Sequence, residues 1–123
     1  MTGPSVTLTR DAYVAPAAST LVSIGTDDDL TPEIDITSAA FGGLLVPATV
    51  NGTSLSFTVS DVSGGTFYAL KDKDNAAISL TITSATASAV ALPAELFAFN
   101  FFKIVTGTAQ STTDTQFIVT LRS

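Results

Sequence analysis

The chain predicts an all-β fold, an antiparallel β-sandwich of jelly-roll-like type with one short helical turn near residues 93–98. Three observations carry this. Apolar residues recur at every second position, as Leu55, Phe57 and Val59 do between Ser54, Ser56, Thr58 and Ser60, so that each run has one apolar and one hydroxyl face. Turn signals recur roughly every eight to twelve residues, the spacing of sandwich strands. A helical pattern occurs once and is short. No fixed-period repeat is present, which argues against a solenoid or propeller. At 123 residues the chain is read as residues 1–20, an extended N-terminal arm or edge strand, and residues 21–123, the sandwich.

In chain order, Val6 to Thr9 is a strand candidate, and Pro4 and Pro16 hold the arm extended. Leu21 to Ile24 is a short apolar run, followed by the loop Gly25-Thr26-Asp27-Asp28-Asp29. Glu33 to Ile36 places Ile34 and Ile36 on one face and the acids opposite, with Pro32 fitting a strand start. Ala39 to Val46 is more apolar; Gly42-Gly43 marks a bulge or close approach, and Pro47 ends the run. Val50 to Leu70 forms the central antiparallel hairpin: Leu55 to Val59 goes up, Asp61-Val62-Ser63-Gly64-Gly65 turns, and Thr66 to Leu70 returns. Lys71 to Asn75 reads as an Asx-rich turn, Ile78 to Ile82 as a strand, and Ser84 to Ala89 as a small-residue loop. Pro93 and Glu95 suit the first turn of a brief helix. Phe97, Phe99, Phe101 and Phe102 crowd the next stretch, as a core plug or a sugar-stacking platform. Phe101 to Val105 is a strand, Thr108 to Thr115 a polar loop, and Gln116 to Leu121 the closing strand.

Composition narrows function by subtraction. Charged residues make up 13% of the chain against 46% hydrophobic, and Ser and Thr supply most of the polar surface. Such a weakly charged exterior suits contact with other proteins, or a secreted β-domain that binds nothing. The net charge is −6, and the five cations (Arg10, Lys71, Lys73, Lys103 and Arg122) form no basic stripe, so no nucleic-acid partner is expected. Without cysteine or histidine there is no disulfide framework and no ordinary zinc site. No signal segment or membrane-length apolar stretch is visible, so cytoplasmic synthesis without Sec-type export and no membrane partner are expected.

Chemistry-bearing patterns are weak. Three adjacent aspartates in an extended loop point in different directions, and Asp72-Lys73-Asp74-Asn75 lacks the glycine and distal glutamate of a calcium loop, so no metal is expected. Serine or threonine nucleophiles have no histidine to activate them. Glu33, Glu95 and nine aspartates keep two-carboxylate glycoside hydrolysis formally open, but nothing sets two of them across a cleft. Gly42-Gly43 and Gly64-Gly65 lack the spacing and the lysine of a phosphate loop. Neither an enzyme nor a cofactor is expected.

SLSFTVSDVSGGTFYALKDKDNAAISLTI resembles a run in small virion structural proteins of tailed bacteriophages, where an alternating strand, a glycine turn, an aromatic return strand and an acidic turn follow one another. LPAELFAFNFFKIVTGTAQ and QFIVTLRS are similar to the later part of that group, and GGLLVPATVNGTSLSF to its Val-Pro lead into the central strand. The resemblance spans about residues 40 to 123; SDVSGG and Phe99-Asn100-Phe101 depart from the pattern, where Asp-Gly and a tryptophan or arginine are more familiar. A looser likeness is to galactose-binding-like jelly rolls.

The resemblance implies a non-enzymatic head decoration (cement) protein located in the virion and assembled in the host cytoplasm. Its partners would be the major capsid protein or another virion protein, and copies of itself, with a trimer expected on assembly grounds. Contacts are expected from the arm residues Val6, Leu8, Tyr13 and Val14. The alternative is a carbohydrate-binding or accessory module of a tail, neck or fibre assembly, with Tyr68, Phe99 and Asn100 on the glycan. A head–tail connector or tail-tube subunit fits the same composition.

Overall fold

Nine strands and one 3-10 turn make up the computed structural model, which describes residues 17–111 and 114–123. The strands are β1 (Ala17–Gly25), β2 (Ile34–Asp35), β3 (Phe41–Val46), β4 (Ser54–Ser60), β5 (Tyr68–Ala69), β6 (Ser79–Thr81), β7 (Ser88–Ala91), β8 (Phe101–Val105) and β9 (Asp114–Arg122). The first sheet has the order β1-β9-β3-β7, and the second the order β2-β8-β4-β5, with β6 also on β4. All pairings are antiparallel. The chain changes sheet at six of its eight connections, so most strands lie beside partners distant in sequence, the β4–β5 hairpin being the exception. That order is a jelly roll's, with β5 and β6 sharing the position beside β4.

Alternation decides which side chains go between the layers. Val22 and Ile24, Leu44 and Val46, and Phe117, Val119 and Leu121 turn inward from the first sheet. Ile34, Leu55, Phe57, Val59, Phe102 and Ile104 meet them from the second. The Phe57 and Phe102 rings sit at the centre with centroids 6.1 Å apart and planes tilted by 59°. Leu96, on the 3-10 turn Ala94–Ala98, is fully buried and plugs one side. Pro93 is the extended residue just before that turn rather than its first member.

The central hairpin forms, with Gly64 at φ +69 in its turn, but its return strand pairs over Tyr68–Ala69 alone. The free edge of β4 is shared: β5 pairs at Thr58 and Val59, while β6 takes Ser54 to Ser56. The Asx turn lies between them, where the Asp72 carboxylate accepts from the Asp74 and Ala76 amides at 2.8 and 3.0 Å and Asn75 adopts φ +64. Gly42 is a close approach rather than a bulge, since a Cβ there would stand 2.5 Å from the Thr120 carbonyl oxygen. Two expectations are corrected. The small-residue loop does not run to Ala89, because Ser88 already pairs with Val46 at the start of β7. Nor does the polar loop run to Thr115, because β9 begins at Asp114, and within the loop Gln110 is fully buried.

Gln110 closes one end of the sandwich. Its Nε2 donates to the Asn51 and Thr108 carbonyls at 3.1 and 2.9 Å, and its Oε1 accepts from the Asn51 amide at 2.9 Å and the Thr115 hydroxyl at 3.1 Å. All four bonding directions of the amide are therefore used. Its backbone amide donates to the Asp28 carbonyl and its own carbonyl accepts from Asp27, which fixes the acidic loop to the same point.

Candidate functional site

The outward face of the first sheet follows from strand register. Leu21 lies opposite Ile118, Ile118 opposite Leu45, and Leu45 opposite Ala89. These four side chains share a face because directly opposed residues of antiparallel strands point the same way. They form an apolar row across all four strands, with Leu21 57%, Leu45 43% and Ile118 36% exposed. Phe41, 58% exposed, lies on the same face opposite Arg122. Ser19, Ser23, Gln116 and Thr120 fill the flanks, and Arg122 is the one charge among the described outward side chains of this face. The hydroxyl-faced exterior expected from composition is thus interrupted here by aliphatic groups.

A second feature is an open concavity of about 710 Å³ at the edge of the second sheet, lined in part by Val62, Thr66, Tyr68, Asn75 and Phe99. Tyr68 opposes the inward residue Val59 but lies beyond the core, so 68% of it is exposed in the mouth of the concavity. Phe99 is half-buried and packs against the core. Asn100 donates from Nδ2 to the Asp61 carbonyl at 3.2 Å, holding a residue that lines the concavity. The structure therefore brings Tyr68 and Phe99 to one surface, with Asn100 behind its rim as a support.

The hairpin turn beside this concavity is tied down by Glu33, whose carboxylate accepts from the Ser63 hydroxyl and, at 2.8 Å, from the Gly64 amide. These bonds, the Ser63 one foremost, hold its carboxyl below the ordinary value of 4.5, with Lys103 adding a smaller attraction. Asp35 is lowered in the same direction by the Thr37 hydroxyl and amide. Lys103 lies over the Phe67 ring with Nζ 4.4 Å from its centroid. Among the described residues no cluster of three or more acidic side chains is gathered to hold a metal ion. No helix among them is long and apolar enough to cross a membrane.

Val6, Leu8, Tyr13 and Val14, the expected arm contacts, lie outside the described residues. Residues 17–20, taken with them in the sequence, belong to β1. The apolar row was missed as a surface, although adjacent apolar pairs such as Leu21-Val22 and Leu44-Leu45 signal strands with apolar groups on both faces. No protein-family model matches the chain, and comparison with curated proteins finds no match.

Proposed function

We propose that this protein is a non-enzymatic structural component of a tailed-phage particle, a head decoration protein that sits on the capsid through the outward face of its first sheet. The observation that carries the reading is the Leu21–Ile118–Leu45–Ala89 row on a face with a single described charge. Such a row gains from covering by an equally apolar protein surface, at about 25 cal/mol per Å² of apolar area removed from water. One small contact of this kind is weak, but many copies on a repeating lattice multiply it. The partner of choice is the major capsid protein, whose lattice repeats in this way. Jelly-roll order recurs in both viral and sugar-binding domains, so the topology is compatible with the reading without carrying it.

The test is reconstitution on purified phage heads. The wild-type chain is expected to saturate heads stripped of it, and Leu45→Lys with Ile118→Lys to lose most of that binding while keeping its melting temperature. Equal binding by the double variant would remove the sheet face from the interface, and absence of the protein from particles by mass spectrometry would remove the virion reading altogether.

The concavity favours a second reading, a glycan-binding accessory module, because Tyr68 and Phe99 line it together and Thr66 and Asn75 add polar groups. Glycan-array binding by the wild type that disappears in Tyr68→Ala would favour this reading over the first.

A further inference from the structure

We infer that the outer edge of β1 is a strand-pairing site for a second copy of this chain, joining two first sheets into one eight-stranded sheet about a two-fold axis at Leu21. The four sheet edges are unequal. β2 and β5 have two paired residues each, β6 has three and β7 four, whereas β1 runs for nine. Proteins protect edges by keeping them short or by placing lysine or proline on them. The β7 edge follows this rule, being short and followed by Pro93, and the β2 edge follows Pro32. AASTLVSIG has neither device: it contains no charge and no proline, and among the described residues only β9 pairs with it. A nine-residue antiparallel pairing would satisfy about eight to ten backbone hydrogen bonds across such an edge.

The occupant is a second copy because the edge is complementary to itself. With Leu21 at the midpoint of Ala17–Gly25, full antiparallel overlap sets Leu21 against the partner's Leu21 and Ser19 against the partner's Ser23. The exposed row then continues from one copy into the next, with the two Leu21 side chains adjoining at its centre. The ends of the pair match in charge as well. Arg122 lies beside Ala17, and the acidic loop Asp27 to Asp29 follows Gly25. Antiparallel overlap brings the acidic loop of each copy to the end of the sheet where the other carries Arg122, with about 10 Å between strands two places apart. That separation is just beyond the Debye length of about 8 Å at physiological salt, so the attraction is weak there and grows at low salt. A strand with its midpoint on the edge fits a two-fold pair rather than the three-fold assembly expected from the sequence. The pair would present the apolar face proposed above at twice its width.

The test uses the isolated full chain, so its outcome is separate from that of the virion reading. Sedimentation across rising concentration is expected to reach twice the monomer mass of 12.6 kDa. Leu21→Lys, which sets two like charges opposite each other, is expected to return it to the monomer with an unchanged circular-dichroism spectrum. The chain has no native cysteine, so oxidation can read the register. Leu21→Cys should form a reducible covalent dimer. Ser19→Cys and Ser23→Cys should cross-link when mixed and stay uncross-linked when oxidised separately. A wild-type monomer at all concentrations, the state expected if residues 1 to 16 of the same chain cover the edge, would overturn the proposal. So would a trimer, a dimer indifferent to Leu21→Lys, or failure of the Leu21→Cys chain to cross-link.

Discussion

Replacing Gln110 with alanine tests how far one buried amide holds the end of the sandwich together. The side chain is fully buried and makes four hydrogen bonds. The substitution removes the partner of the Asn51 amide and of the Asn51 carbonyl. The Thr108 carbonyl keeps the Thr106 hydroxyl at 2.7 Å and loses less, and the Thr115 hydroxyl also loses its bond to Oε1. A buried backbone group left unpaired costs about 1–3 kcal/mol, so two such groups give about 2–6 kcal/mol. Against a net stability of about 5–15 kcal/mol this is a large fraction, and at roughly 4 °C per kcal/mol the melting temperature should fall by about 8–24 °C. Urea unfolding followed by circular dichroism measures it. Ser111→Ala is the control, because it removes an exposed hydroxyl bond to the Asn51 side chain and should cost under about 1 kcal/mol. A Gln110→Ala midpoint matching the Ser111→Ala midpoint would refute the reasoning.

Three further outcomes follow from the same contacts. Gly42→Ala should destabilise by about 1–3 kcal/mol or more, since the new Cβ meets the Thr120 carbonyl oxygen at 2.5 Å and backbone must shift; an unchanged thermal midpoint would contradict this. Phe57→Ala opens the centre of the core and should cost about 3–5 kcal/mol in denaturant unfolding, whereas a cost under about 1 kcal/mol would mean that the core had closed over the gap. The lowered carboxyl of Glu33 contributes stability above its ordinary value of 4.5, which is lost as the pH falls through the lower value of the folded state. Melting temperature should therefore fall less steeply on acidification in Glu33→Gln than in the wild type, and parallel curves would contradict the assignment.

Most strands were legible because one-sided burial writes a period of two into the chain. The strand read at Phe101 to Val105 is the one observed, and the inward positions of Ile34, Leu55, Phe57, Val59, Phe117, Val119 and Leu121 follow from alternation. β7 was not legible, since Ser88-Ala89-Val90-Ala91 has little intrinsic strand preference and is held by pairing with β3. The extent of β5 depends on competition with β6 for one edge of β4, a fact of topology that no local pattern carries. Gln110 sits among Thr, Ser and Ala, the composition of a solvated loop, and only the folded arrangement supplies its four partners.

The candidate surfaces were legible to different depths. Tyr68 and Phe99 were picked out as aromatic residues able to stack on a ligand, and they do share one concavity, but the role of Asn100 as a support needed the Asp61 contact. The apolar row is made by three different registers joining residues 21, 118, 45 and 89, so it exists only once the jelly-roll order is known. Leu21 and Leu45 each read locally as one more member of an apolar run.

Whether the outward face of the first sheet is a protein interface is best decided by a cryo-EM reconstruction of the assembled phage particle at side-chain detail. Leu21, Leu45 and Ile118 are expected to be packed against apolar side chains of the capsid protein. A map with those three residues facing solvent, and the protein attached through the Tyr68 concavity or found on no particle, would contradict the account.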